Sequence, residues 1–220
     1  MTVWYRAFTL IELLVVILVI LILITLSVPV FQKVLFRARV VKAAEEVRLI
    51  VTALDLYYQD WLVYPLDHHG DWPYQHPEEF GFVMLTTPLQ YLTRLLPDPF
   101  GTHRTIDPNV QGITSSYYGG SGSDNPACGG RAHYANPLLR KNDPSCVDAY
   151  LVFSIGPDGG RSSFGGPQFP LGDPAFPYPV TIVSYSPLNG VRSEGDIFKM
   201  TGNWTAGSVM VDYRMITSQR

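Results

Sequence analysis

Only 16% of the 220 residues carry a charge, two are cysteine and five are histidine. Each scarcity excludes something. With a formal net charge of −3, no basic field presents itself to nucleic acid. Cys128 and Cys146 are too few to build a cysteine zinc site on their own. G-x-S-x-G, H-E-x-x-H and phosphate-loop patterns are all missing, so no residue is marked as catalytic and no enzyme is expected. His68, His69 and His76, with Asp67 and Asp71, read as a solvated loop, because adjacent histidines rarely point at one ion. Glycine (19), proline (18) and aromatic side chains (13%) are plentiful, which suits an antiparallel, loop-rich domain better than a helical one.

The stretch from Phe8 to Val30, FTLIELLVVILVILILITLSVPV, contains one charge, Glu12. As a helix it spans roughly 30 Å, enough to cross the hydrocarbon core of a bilayer once. An ionised side chain in lipid costs roughly 2.5 to 3.5 kcal/mol even on lenient insertion scales, so Glu12 calls for a partner. A cationic amine at the end of an adjacent helix would offset that cost only when two copies are correctly staggered, and Glu12 would then set register. On a plain signal anchor it would instead snorkel to the interface. Ahead of the span, MTVWYRA has one basic residue, Arg6, and lacks the separate apolar core and A-x-A site of a secretory signal.

A small residue, then Phe, then TLIELLVVI resembles the type IV prepilin family, which includes the pseudopilins of type II secretion. The resemblance implies cleavage between Ala7 and Phe8 by prepilin peptidase, methylation of the new amino terminus, and pairing of Glu12 with the Phe8 amine of a neighbouring subunit in a filament. Pro29 stands where these proteins carry a proline, and it removes one helical hydrogen bond and bends the axis. Beyond it the spacing of Val34, Ala38, Val41, Val47, Ile50, Val51, Leu54, Tyr58 and Trp61 predicts a helix that leaves the membrane and docks on a domain, with Pro65 as its stop. Lys33, Arg37, Arg39 and Lys42 follow the span closely, so the positive-inside count favours a cytoplasmic carboxyl-terminal part. The resemblance implies the opposite, an inner-membrane anchor with a periplasmic domain.

Export would let Cys128 and Cys146 close a loop worth roughly 3 kcal/mol in the chain-entropy model. The segment 101–149 between and around them is rich in turn formers, with a strand expected near Ile113–Tyr118. The block LTTPLQYLTRLLPDPFG resembles a packed segment of major-pseudopilin-like proteins, and Leu85, Leu89, Leu92, Leu95 and Leu96 are expected to pack under the long helix. Ala149–Ile155, Val180–Ser186 and Ser208–Ile216 read as strands of an antiparallel sheet covering that helix. SIGPDGG, Ser154 to Gly160, resembles the calcium loop of major pseudopilins. That resemblance implies a calcium site drawing on Ser154 and Asp158 with a second carboxylate such as Asp173 or Asp196. Gly195, Asp196 and Ile197, followed by Trp204, resemble a downstream acidic element of the same family.

The expected fold is therefore α+β and pilin-like, a long kinked helix on a small antiparallel sheet with long loops. Its parts are a leader (1–7), a membrane and filament-core helix (8–30), an amphipathic continuation (31–64) and a globular domain (65–220). The implied function is a structural subunit of a type II secretion pseudopilus, requiring no cofactor and admitting calcium. Its partners are prepilin peptidase, other pilin-like subunits and the inner membrane, without nucleic acid. A type IV pilus subunit and a single-pass anchored binding domain are the rival readings.

Overall fold

A computed structural model describes residues 8–65, 81–101, 118–121, 148–158, 169–170, 180–190, 193–203 and 208–217. Ala7, His68, His69, His76, Cys128, Cys146, Asp173, Trp204 and most of the strand expected near 113–118 lie outside the described residues. The chain divides into two compact units, Met1–Arg39 and Val40–Arg220. One helix, α1 (Leu10–Trp61, 52 residues), runs through both and is continuous across Pro29.

In the first unit, α1 holds a window long and apolar enough to cross a membrane, none of it buried in the protein. The hydroxyls within it are satisfied locally. Thr25 Oγ1 donates to the Leu21 carbonyl and Ser27 Oγ to the Leu23 carbonyl, each at 2.7 Å. Internal pairing of this kind is what an environment without water demands.

In the second unit, α1 buries Ala43, Val47, Ile50, Val51, Ala53, Leu54 and Tyr57 along one stripe. Val34 and Val41, expected on that stripe, are 57% and 61% exposed. The reason is angular: Val41 and Val47 are six residues apart, and at about 100° per residue they fall on different faces. The helix also stops before Pro65. Leu62 adopts φ 55 and its N–H donates to the Tyr58 carbonyl at 2.7 Å, closing a left-handed cap after Trp61.

A 3-10 turn over Gly81–Leu85 follows. The Leu85 carbonyl accepts from both Tyr91 N and Leu92 N, at 2.9 and 2.8 Å, which draws 86–90 into a loop. Leu85 and Leu92 are buried and Leu96 packs against the core, whereas Leu89 and Leu95, expected under the helix, are exposed. The loop turns Leu89 outward.

Among the described residues six strands form two sheets rather than one. The first has the order β1 (Tyr118–Ser121), β2 (Asp148–Ser154), β4 (Ile197–Asn203), all antiparallel. The second has the order β3 (Val180–Ile182), β5 (Ser208–Val211), β6 (Arg214–Thr217), with β3 and β5 parallel. The run Ser208–Ile216 is thus not one strand: Asp212 and Tyr213, at φ 48 and 63, make a two-residue hairpin turn that ordinarily selects Asn or Gly. β4 lies outside the expected strands, and of those expected Ala149–Ile155 supplies β2 of the first sheet, whereas Val180–Ser186, a strand only over Val180–Ile182, and Ser208–Ile216 supply the second.

Tyr150 and Val152, two residues apart on β2, join Val47, Ile50, Leu54 and Phe82 in the core. Leu151 and Phe153, on the other face, are also buried, so β2 is the central strand. Polar pairs tie helix to sheet: Tyr58 Oη donates to Asp148 Oδ2 at 3.0 Å and Thr201 Oγ1 to Asp55 Oδ1 at 2.9 Å.

Candidate functional site

The first site is the amino-terminal end of α1. Thr9 N–H and Thr9 Oγ1 both donate to Glu12 Oε2, at 2.8 and 2.7 Å, while Glu12 N–H donates to Thr9 Oγ1 at 3.3 Å. This is a capping box, in which residues at the N-cap and third helical positions satisfy each other's backbone donors. A carboxylate here also faces the positive end of the helix dipole. Among the described residues the ion pairs are Lys42–Glu46 and Arg48–Glu45, and Glu12 pairs with no cation among them. Its partner in the structure is Thr9, a neutral neighbour rather than a charge. The pattern T-x-x-E ahead of an apolar run was the available signal.

Phe8 directly precedes this cap and is 71% exposed. Pro29 lies far along the same helix, where its missing N–H leaves the Thr25 carbonyl without its usual helical donor. Phe8 and Glu12 therefore lie at the same end of α1, and Pro29 does not. Ala7 lies outside the described residues.

The second site is where the Asp98–Gly101 turn, closed by Gly101 N–H donating to the Asp98 carbonyl at 2.9 Å, meets the end of β2. Asp98 is 5% exposed and accepts three hydrogen bonds: Phe100 N–H to Oδ1 (2.9 Å), Ser154 Oγ to Oδ1 (2.8 Å) and Ile155 N–H to Oδ2 (3.0 Å). Burial raises its acid above the ordinary carboxylate range, opposed by those three bonds and reinforced by the charge of Glu46. The bond to Phe100 N–H, two residues on, is an aspartate's ordinary local turn bond. Nothing local pointed to Ser154.

Ser154 and Asp196, expected as calcium ligands, are both buried, and Asp158 is exposed. The register pairs Ser154 with Ile197, which places Asp196 beside the end of β2. Gly156, at φ 71, lies so close to the facing loop that a Cβ there would be 2.5 Å from the Gly195 carbonyl oxygen. The fold thus brings the Gly156–Asp158 turn against Gly195 and Asp196. Yet the Ser154 hydroxyl is already committed, donating to Asp98 and accepting from Gly156 N–H at 3.3 Å. Among the described residues no three acidic, histidine or cysteine side chains gather as a metal group. Two carboxylates alone fall short of the six to eight oxygens calcium takes. Cys128 and Cys146 lie outside the described residues.

A family model described as the prokaryotic N-terminal methylation motif matches residues 5–28. It takes in Ala7, Phe8, Thr9 and Glu12 and ends one residue before Pro29. That motif is typical of type IV pilin-like proteins, precursors processed by prepilin peptidase, and points to a structural subunit rather than an enzyme. No curated relative and no solved structure matches the chain.

Proposed function

We propose that this chain is a subunit of a type II secretion pseudopilus, cut between Ala7 and Phe8 and polymerised through α1. One observation carries the reading: the methylation motif overlies the exposed apolar stretch of α1 whose one charge, Glu12, is bonded to its own N-cap. A cut before Phe8 would place a new amine one residue ahead of that cap, and a second subunit's amine would complete Glu12 in lipid. The bond from Ser154 to Asp98 joins the two elements, DPFG and SIGPDGG, that favour the secretion class over a surface pilus. Filaments on the outside of intact cells would favour the pilus instead.

Replacing Ala7 with Leu should block maturation, since the peptidase would meet a bulky side chain beside the cut. Intact mass of the membrane fraction checks this. Wild-type material should lack MTVWYRA and carry one added methyl group, whereas the variant should keep all seven residues. An unchanged mature mass in the variant would place the cut elsewhere.

Calcium is a subordinate proposal resting on Asp158 and Asp196 with backbone carbonyls of the Gly156–Asp158 turn. Millimolar calcium should then raise the thermal midpoint of the full chain in detergent by several degrees, and Asp158→Asn should abolish the rise. A midpoint indifferent to calcium would remove the metal from the account.

A further inference from the structure

We propose that Lys33, Arg37 and Arg39 form a collar that binds the phosphate headgroups of anionic lipids in the leaflet from which α1 emerges. From Glu12 to Lys33 the helix advances 21 residues without another charge, about 30 Å of rise, which equals the hydrocarbon thickness. Lys33 therefore arrives where the acyl chains end. From 33 to 44 the sequence KVLFRARVVKAA has four cations and no anion.

Lys42 turns to Glu46 at 3.8 Å, but Lys33, Arg37 and Arg39 are exposed and enter no ion pair among the described residues. Their spacing suits a surface rather than a pocket. Lys33 and Arg37, four apart, share a side of the helix, while Arg39 lies about 200° round from Arg37, so the charges surround the axis. Over six residues they rise about 9 Å, within reach of a headgroup layer for side chains that extend along the helix. A guanidinium fork bonds phosphate oxygens in pairs, and the lysine adds a point charge. Such a collar fixes how deep the span sits and hence holds Glu12 at the opposite boundary. The inference needs only an inserted helix and holds whether or not subunits polymerise.

The test uses the full-length chain in phosphatidylcholine bilayers doped with spin-labelled phosphatidylglycerol or phosphatidylcholine, reading the lipid immobilised at the protein surface. Wild type should favour the anionic lipid by about five-fold or more at low salt, since each basic residue near the surface contributes about that factor, and the preference should shrink in 1 M salt. Lys33→Gln, Arg37→Gln and Arg39→Gln together should bring the two lipids to parity. The charge-conserving set Lys33→Arg, Arg37→Lys and Arg39→Lys should keep the preference. Parity in the wild type, or a preference that survives the triple glutamine change, overturns the proposal. So does loss of the preference on adding inorganic phosphate at constant ionic strength, which would mark a site for free anions, or the absence of any immobilised lipid.

Discussion

Glu12→Leu is expected to enter the bilayer at least as readily as the wild type and to yield no filament. A charge at the centre of a spanning helix costs roughly 2.5 to 3.5 kcal/mol, and Glu12 near the hydrocarbon boundary costs a part of that, so the membrane step gains. It also dismantles the capping box with Thr9, a loss of about 1 kcal/mol confined to the first turn of α1. Neither effect blocks assembly by itself. What disappears is the only charge between Phe8 and Gln32 able to answer a neighbouring amine, and with it the preference for one stagger among the many that an evenly apolar rod permits. Glu12→Gln separates the two roles, since an amide oxygen still accepts from Thr9 while the charge is gone. It should keep the cap and fail to assemble likewise. Carbonate-resistant membrane association together with electron microscopy of sheared filaments gives both readouts, and filaments of normal abundance from either variant would falsify the register mechanism.

Asp98→Ala is expected to be the most damaging single change in the second unit. It strands three donors, the N–H groups of Phe100 and Ile155 and the hydroxyl of Ser154, in a place nearly closed to water. Buried donors left unmet cost about 1 to 3 kcal/mol each, and partial relaxation brings the total to roughly 3 to 5 kcal/mol, a large share of an ordinary domain's stability. Denaturant titration of the full chain in detergent, followed by near-ultraviolet circular dichroism of the aromatic core, measures it.

Asp98→Asn adds a pH signature. Burial raises the folded-state acid, so the folded protein holds the proton more tightly than the unfolded chain does. The contribution of that group is complete below the ordinary carboxylate range and is lost as pH rises through the raised value. The stability of wild type relative to Asp98→Asn should therefore decline across that window. A relative stability that climbs with pH would mean that the three hydrogen bonds outweigh burial.

The apolar span, its solitary acid and the long helix were legible from residue order because partition into lipid and helical periodicity are sums over neighbours. The capping box is equally local, written as Thr9-x-x-Glu12 ahead of the apolar run. The hairpin at Asp212–Tyr213 was hidden: two non-glycine residues at positive φ are tolerated there because strand pairing on both sides holds them.

Which apolar residues of α1 face the core could not be settled by spacing, since Val41 and Val47 both look apolar and only docking chooses between their faces. Asp98 is the plainest case. Its partners Ser154 and Ile155 are 56 and 57 positions away, and the closure that joins them follows from β2 being central and buried on both sides. Solvent and helix period act on each residue where it stands in the chain, so anchor and helix could be read directly. Hydrogen bonds and packing act on whatever the folded chain brings within a few ångströms, so the core face, the strand partners and the buried acid emerged only once the chain had closed on itself.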